Sequence, residues 1–344
     1  MTTLFAKLAR LFATRKPARH ARPTGFRPGL EQLDERLCLS VTVGTIDAGH
    51  TLVINGDNAA NAVTIIQDDD ANHLTVQAAG INQTFDSNKI TNVVINLKGG
   101  ADSLTWKLGG GSDFHFAKNI TFQGGVGNDI SSFDFHNDGN GGEAKIRANL
   151  AVTINDIGLV DADKATVVLG KVDDVNVLVK TRLGFGNDTF DGTLAGDLSD
   201  DAHVKFDLVD ANNFLFIRGG NDRYTLKADN DVDIDDDAVL DINVFGGAGN
   251  DTLDFSFRGE VDGLLKVRLD GGAGNDVVKA NIVLDDGSDG NLDAILFGGV
   301  GNDALTFNLT DNSDNGFVIT NAVANGGLGI DSFSGTPNVV KLSI

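Results

Sequence analysis

The sequence has few of the residues that cross-link a chain or anchor it in a membrane. Its one cysteine, Cys38, excludes an intramolecular disulfide, and a bound metal ion is a common substitute in secreted proteins that lack one. No apolar run approaches the roughly 18 residues of a transmembrane helix, so no membrane span is predicted. Only 4 prolines accompany 43 glycines, which excludes a collagen-like repeat.

Positive charge is scarce outside the first forty residues. Residues 1–40 hold eight Lys or Arg and three Asp or Glu, a net charge of +5, against chain totals of 27 and 49. The remaining residues therefore carry 19 basic and 46 acidic side chains, a net charge of −27. A surface this acidic argues against nucleic acid as a partner, and its self-repulsion favours the uptake of cations.

A glycine-rich hexapeptide recurs along the acidic part of the chain. Four copies read Gly-Gly-x-Gly-Asn-Asp and begin at Gly124, Gly246, Gly271 and Gly298. Weaker copies share the final aspartate, and the whole series of aspartates is Asp102, Asp129, Asp188, Asp222, Asp251, Asp276, Asp303 and Asp331. Successive spacings are 27, 59, 34, 29, 25, 27 and 28 residues, so the period is about 27. The gap of 59 predicts a copy without glycines at Asn155-Asp156.

Alternating apolar residues flank the hexapeptides. Val267-x-Leu269 precedes one copy and Leu253-x-Phe255-x-Phe257 follows another, with polar residues between them. This pattern predicts a strand, a glycine turn and a second strand with one apolar face. A unit of this size cannot bury that face alone, so the sequence predicts an all-β fold, a right-handed parallel β-helix or β-solenoid over residues 41–344. An antiparallel β-sandwich is the alternative, although it does not explain one turn at a near-constant spacing.

The strongest copies, Gly246–Leu253 and Gly298–Leu305, read Gly-Gly-x-Gly-x-Asp-x-Leu. This motif resembles the hemolysin-type (RTX) calcium-binding repeat. The resemblance implies Ca²⁺ held between consecutive turns, although RTX repeats follow one another directly and these copies are separated by longer inserts. The candidate metal-binding residues are glycines and final aspartates of the turns: Gly124, Gly125, Gly127, Asp129, Asp188, Gly246, Gly247, Gly249, Asp251, Gly271, Gly272, Gly274, Asp276, Gly298, Gly299, Gly301, Asp303 and Asp331.

The residues of the turn support a calcium site and also a metal-free alternative. Ca²⁺ takes about six to eight oxygen ligands, and one turn offers a carboxylate and a few carbonyls, so two stacked turns would be needed. Asn and Asp side chains also bond to nearby backbone in tight turns without any metal. Stacked Asn128, Asn250, Asn275 and Asn302 would then form an asparagine ladder. Both interpretations are consistent with the sequence.

The first forty residues form a separate predicted segment. They contain three of the four prolines, and residues Leu30–Leu37 read LEQLDERL. This stretch is similar to the LEPR-XLL segment of large bacterial secreted and surface proteins, with Gln32 where that pattern has proline. The resemblance implies export. The composition predicts a largely disordered segment over residues 1–40, with a short amphipathic helix at Leu30–Leu37.

Recognisable catalytic motifs are missing from the sequence. It contains no Gly-x-Ser-x-Gly and no His-Glu-x-x-His, and its single tyrosine and tryptophan offer little for a sugar-binding cleft. The acidic run Asp229–Asp237 begins like an EF-hand loop, but Ile234 occupies the glycine position, so a solvated loop is expected.

We therefore expect a non-enzymatic, secreted or cell-surface structural or interaction protein that binds Ca²⁺. The alternatives are a polysaccharide-acting β-helix enzyme and a metal-free adhesive β-solenoid. Calcium ions are the main expected partner, and cell-envelope or extracellular polysaccharide or protein is the second class of partner.

Overall fold

The computed structural model describes residues 40–155, 161–209, 219–228, 231–313, 317–336 and 340–342. The chain divides into two units, Met1–Cys38 and Leu39–Ile344. The predicted export segment and its helix at Leu30–Leu37 lie outside the described residues and stay predictions. The described part of the second unit is all-β, and its one helical segment is a 3-10 turn at Asp47–Gly49.

Ten successive units of strand, turn and strand build two twelve-stranded sheets. The first sheet contains the strands that precede the turns, in the spatial order Thr42–Ile46, Thr51–Asn55, Asn92–Asn96, Lys118–Gln123, Leu150–Asn155, Asn176–Arg182, His203–Val209, Val239–Ala248, Leu264–Ala273, Asn291–Val300, Val318–Leu328 and Val340–Leu342. The second sheet contains the strands that follow the turns, in the spatial order Ile81–Asp86, His73–Ala78, Ala62–Asp68, Ser103–Leu108, Ile130–Phe135, Lys164–Leu169, Thr189–Leu194, Arg223–Ala228, Thr252–Gly259, Val277–Leu284, Ala304–Asp311 and Ser332–Gly335.

The two strands beside a turn lie in different sheets, and each pairs in parallel with its equivalent in the next repeat. Val239–Ala248 pairs with Leu264–Ala273, and Thr252–Gly259 pairs with Val277–Leu284. Hairpin pairing around Gly246–Phe257, which the antiparallel alternative requires, is therefore wrong. The all-β fold with parallel strands is confirmed, and the arrangement is consistent with a β-solenoid.

Antiparallel strands form the first edge of both sheets. In the first sheet Thr42–Ile46 pairs antiparallel with Thr51–Asn55. In the second sheet Ala62–Asp68, His73–Ala78 and Ile81–Asp86 form an antiparallel meander. The sequence did not predict these reversals, because alternating apolar residues indicate a strand but not its direction.

Inward side chains stack in columns from one repeat to the next. Phe255 pairs in register with Ala280, which pairs with Phe307, and all three are buried. The other predicted inward residues are buried except the last, which is only partly buried: Leu253, Phe257, Leu305 and Leu309. The polar residues between them are partly exposed on the other face, as predicted: Thr252, Asp254, Ser256 and Thr306.

A third, short sheet adds another inward column. Its strands are Lys145–Ile146, Lys171–Asp173 and Leu198–Ser199. Isolated bridges extend the column at both ends. The buried apolar residues of the column are Phe114, Ile146, Val172, Leu198, Ile234 and Val261. Strands of two or three residues are too short to be recognised by periodicity, so this sheet was not predicted either.

Candidate cation site in the stacked turns

Two glycines in each strong turn have backbone conformations that other residues rarely adopt. In one turn Gly247 and Gly249 have φ angles of 98° and 146°, and in the next Gly272 and Gly274 have φ angles of 101° and 151°. A Cβ on Gly274 would also collide with the carbonyl oxygen of Gly249 in the preceding repeat, and Gly249 meets Gly220 in the same way. Glycine is therefore required both for the turn and for the close approach of successive turns.

The final aspartates of the turns form one continuous column of hydrogen bonds, which we call the aspartate column. The backbone N–H of each aspartate donates to Oδ1 of the aspartate in the next repeat; for Asp251 and Asp276 the distance is 2.7 Å. The column begins where the N–H of Asn61 donates to Asp102. Its members are Asp102, Asp129, Asp163, Asp188, Asp222, Asp251, Asp276, Asp303 and Asp331.

A second column uses asparagine side chains in the opposite direction along the stack. Oδ1 of Asn250 accepts from the N–H of Asn275 at 2.7 Å, and Oδ1 of Asn275 accepts from Asn302 at 2.8 Å. The series continues on both sides, at Asn187, Asn221 and Asn302. Three of the four predicted asparagines, Asn250, Asn275 and Asn302, thus lie in this ladder, whereas Asn128 accepts from the N–H of Ala162. These hydrogen bonds involve no metal ion.

In each aspartate of the column, Oδ1 accepts the hydrogen bond of the column and Oδ2 is buried. Oδ2 of Asp276 and Oδ2 of Asp303 are buried and have no hydrogen-bond partner among the described residues. Burial, with smaller contributions from the carboxylates of Asp303 and Asp270, raises the pKa of Asp276 to about 7. Near neutral pH, an ionised column would need a compensating cation.

Other column members have raised pKa values for the same reason. Burial is the largest cause in each case. It raises the pKa of Asp163 to about 7, with help from neighbouring carboxylates, and the pKa of Asp102 and Asp188 to about 6. Burial and the carboxylate of Asp331 also raise the pKa of Asp303. The electrostatic cost is therefore distributed along the column and does not depend on one turn.

The structure brings together the aspartates that the sequence singled out. All of them lie in the aspartate column: Asp129, Asp188, Asp251, Asp276, Asp303 and Asp331. The predicted glycines lie in the turns beside them, and the first glycine of a turn faces its own aspartate. A Cβ on Gly246, for example, would lie 2.7 Å from Oδ2 of Asp251.

One member of the column was missed. Asp163 fills the long gap, accepting from the N–H of Asp129 at 2.8 Å and donating to Asp188 at 2.8 Å. The predicted copy at Asp156 lies outside the described residues. The signal that identifies Asp163 is its position directly before the strand Lys164–Leu169, because every column aspartate immediately precedes a strand of the second sheet.

Two kinds of oxygen converge beside the first glycine of a strong turn. A Cβ on Gly271 would lie 2.6 Å from Oδ2 of Asp276 and 2.6 Å from the carbonyl oxygen of Gly298 in the next repeat. At Gly298 the corresponding distances, to Asp303 and Gly326, are both 2.5 Å. Hard oxygen donors of this kind suit Ca²⁺. The described residues contain no cluster of three or more His, Cys, Asp or Glu that could hold a metal ion, so backbone carbonyls would have to complete a site.

A second acidic surface lies at the start of the first-sheet strands, remote from the turns. It surrounds a cavity of about 530 Å³ lined by Asp236, Asp237 and Asp262. Asp236 and Asp237 are the last two residues of the EF-hand-like run, and its Ile234 is buried in the third-sheet column. Asp231 and Asp235 are exposed, as expected for a solvated loop.

Comparison with known proteins gave no match to any protein-family model, curated protein or solved structure. Across the described residues, the structure contains no helix with the length and apolar character needed to cross a bilayer.

Proposed function

We propose that this chain is an extracellular or cell-surface structural protein, a right-handed β-solenoid whose stacked Gly/Asp turns bind Ca²⁺ between consecutive repeats. The observation that carries the proposal is the aspartate column. Carboxylates follow one another from Asp102 to Asp331, and the buried Oδ2 atoms of Asp276 and Asp303 have no hydrogen-bond partner among the described residues. A buried carboxylate without a partner is costly unless a proton or a cation compensates it.

The residues that would hold the ions divide into two groups. Asp251, Asp276 and Asp303 would supply carboxylate oxygens, and the first glycines of the turns, such as Gly271 and Gly298, would supply carbonyl oxygens. Bound Ca²⁺ would supply the positive charge that offsets the column. The asparagine ladder would hold the spacing of the turns, since its hydrogen bonds use backbone N–H groups that no cation requires.

A structural role follows from the distribution of these groups. The same hydrogen-bonded aspartate recurs in the turns from Asp102 to Asp331. The candidate ligands are therefore spread along the stack and are not concentrated in one repeat. An ion that binds the folded stack and not the unfolded chain stabilises the fold by RT ln(1 + [L]/Kd) at each site, about 2.7 kcal/mol at a hundredfold excess over Kd. Calcium would thus make folding depend on the extracellular supply of the ion.

The proposal is tested by thermal melting, followed by circular dichroism, in calcium and in excess chelator. We expect a melting temperature several degrees higher in calcium, reversed by chelator, with magnesium much less effective because its short octahedral bonds fit adjustable carbonyl sites poorly. Asp276→Asn keeps the Oδ1 acceptor and should reduce the calcium response. The matched control is Asp254→Asn, on the outward face of the same repeat series, which should retain the full response. Equal melting of the unmodified protein in calcium and in chelator would refute the proposal.

A further inference from the structure

One turn of the stack departs from the glycine motif and contains an extra aspartate. Hydrogen bonds of the aspartate column align Asp163 with the final aspartates of the turns before and after it. Two positions before the final aspartate, those neighbouring turns have Gly127 and Gly186, and this turn has Asp161. Asp161 therefore occupies the position of the third glycine of the motif, and it is not a member of the aspartate column.

The side chain of Asp161 takes the place of a backbone acceptor. In the regular turns the N–H of the third glycine donates to a backbone carbonyl of the next repeat, as Gly249 does to Ala273 at 2.8 Å. The N–H of Gly127 donates instead to Oδ2 of Asp161, at 2.7 Å. Oδ1 of Asp161 is buried and has no hydrogen-bond partner among the described residues. One oxygen of this carboxylate therefore binds the backbone, and the other is available to a ligand.

Three buried carboxylates lie together at this turn, and we call Asp161, Asp163 and Asp188 the Asp161 group. They are 7%, 5% and 1% exposed, and each has one buried oxygen without a hydrogen-bond partner among the described residues. Burial is the largest cause of the raised pKa of Asp188, and repulsion from the Asp161 carboxylate adds to it. Burial also raises the pKa of Asp163, with repulsion from the other two carboxylates of the group as a further cause. The three side chains are therefore close enough to repel one another when ionised.

No basic side chain compensates the Asp161 group in the described part of the chain, where none of the ion pairs includes a member of it. Lys164, the nearest basic residue along the chain, is exposed and pairs with Asp191 at 3.2 Å. The asparagine ladder is also interrupted here, because Ala162 occupies the asparagine position and has no side-chain oxygen. Buried carboxylates of this kind are costly unless a proton or a cation compensates them.

We propose that the Asp161 group binds one Ca²⁺ ion, or a similar hard divalent cation, at a site separate from those between the regular glycine turns. The proposal rests on the proposed function only in that the stack binds calcium, and it does not require the regular turns to bind the ion. A Cβ on Gly186 would overlap the carbonyl oxygen of Asp161 and would lie 2.9 Å from Oδ1 of Asp188, so backbone and carboxylate oxygens meet at this glycine.

The ligand set of this site combines side chains with backbone. No three acidic side chains of the described residues are arranged to hold an ion together. Two carboxylates of the Asp161 group would therefore bind the ion directly, and backbone carbonyls and water would complete its shell of about six to eight oxygens.

The Asp161 group should bind calcium more tightly than a regular turn does. A regular turn contributes the one carboxylate of its column aspartate, whereas this turn adds the carboxylate of Asp161 to that of Asp163. The number of charged ligands is one of the features that set the affinity of a protein site for Ca²⁺. We therefore expect one tight site in each chain, with any sites of the regular turns binding more weakly.

Isothermal titration calorimetry of the whole chain with calcium chloride tests the proposal. The titration is made at about pH 8, above the raised pKa values of Asp163 and Asp188. Asp161→Asn keeps an oxygen for the N–H of Gly127 and removes the charge, so it should weaken the tight site by about tenfold or more. Asp161→Gly introduces the residue of the regular turns and should weaken it as much.

Asp174→Asn is the matched control for the calorimetry. Asp174 is exposed in the same part of the stack, and its φ of 53° is a conformation that asparagine also adopts. This variant should bind calcium like the unmodified protein. Circular dichroism checks that all three variants fold.

Thermal melting separates a ligand role of Asp161 from a purely structural one. In chelator at the same pH, Asp161→Asn removes one of three neighbouring buried charges, so this variant should melt at a higher temperature than the unmodified protein. In calcium the order should reverse, because the variant loses the tight site. A residue that only supports the turn would instead lower the melting temperature in both conditions when replaced.

The outcomes also distinguish this site from the regular turns. If Asp161→Asn removes the tight site and Asp276→Asn leaves calcium binding unchanged, the Asp161 site stands and the regular sites are wrong. Three results would overturn the proposal: no tight site in the unmodified protein, an unchanged tight site in folded Asp161→Asn, or a lower melting temperature of that variant in both chelator and calcium.

Discussion

The backbone N–H of Asp276 donates a hydrogen bond of 2.9 Å to Oδ1 of Asp303, a residue of the next repeat. Asp303 donates in turn to Oδ1 of Asp331 at 3.0 Å. Each carboxylate therefore accepts a hydrogen bond from a backbone N–H group in the repeat before it. Removing one carboxylate should destabilise the neighbouring turn as well as its own.

Replacing an internal column aspartate should destabilise the protein more than replacing the last one. Asp303→Ala leaves the buried N–H of Asp276 without an acceptor, at a cost of about 1–3 kcal/mol. Asp331→Ala should cost less, because Asp331 is partly exposed and water can reach the site. Urea unfolding in chelator measures both. Equal costs would contradict the role assigned to burial.

The stability of the calcium-free protein should fall as the pH rises from about 4 to about 7. Burial raises the pKa of Asp276 from its ordinary value of 3.8 to about 7. Between these values the folded state retains a proton that the unfolded chain releases, so the folded state loses stability as the pH increases. Melting in chelator across this range should show the decline, and calcium should reduce it. Asp276→Asn, which cannot titrate, should show a smaller decline; an identical pH profile would count against this assignment.

Alanine should be tolerated differently at two glycines that both have positive φ. Gly141 has φ of 88° and open space around a Cβ, so Gly141→Ala should cost only about 1–2 kcal/mol for the backbone conformation. Gly274 has φ of 151°, and its Cβ would also meet the carbonyl oxygen of Gly249. Gly274→Ala should therefore cost clearly more, since two turns must separate. Chemical denaturation of both variants measures the difference, and similar costs would show that close stacking is not limiting.

The loss in the free energy of unfolding when a phenylalanine is replaced by alanine should depend on the position of that phenylalanine in the stack. Phe255 is 1% exposed between two repeats, so Phe255→Ala should cost about 3–5 kcal/mol. Phe333 is partly buried on the edge strand Ser332–Gly335, and its truncation should cost less. Equilibrium unfolding of the two variants tests the register. A larger loss at Phe333 would be inconsistent with it.

The sequence predicted the repeated part of the fold well because two independent signals coincide there. At Gly246 and Gly298 the glycine pattern marks the turn, and the alternation of Leu and Phe marks the inward face of the next strand. Both signals follow from local chemistry, namely positive φ and a period of two. The placement of Asp251, Asp276 and Asp303 in one column was predictable for the same reason.

The features that the sequence did not predict depend on neighbouring repeats more than on a local sequence pattern. Of the three glycines of the motif, only Gly158 precedes Asp163, so its place in front of Lys164–Leu169 is the signal that reveals it. The antiparallel edge strands have the same alternation of apolar and polar residues as the parallel strands, so the sequence does not distinguish them. Leu309 has the alternation of an inward residue but is only partly buried, and the sequence cannot indicate which repeat lies at the edge of a stack.

The parallel register also has a consequence for how such a chain can change length. Each strand contacts mainly its equivalents one repeat away, and the equivalent residues Asp251, Asp276 and Asp303 are separated by 25 and 27 positions. Duplication of a segment of that size, such as Gly271–Phe297, would insert a complete layer with matching columns on both of its faces. The asparagine ladder would gain one hydrogen bond, and every contact of the new layer would be of a kind already present. Duplication within the gene can therefore lengthen the stack without disrupting the existing fold.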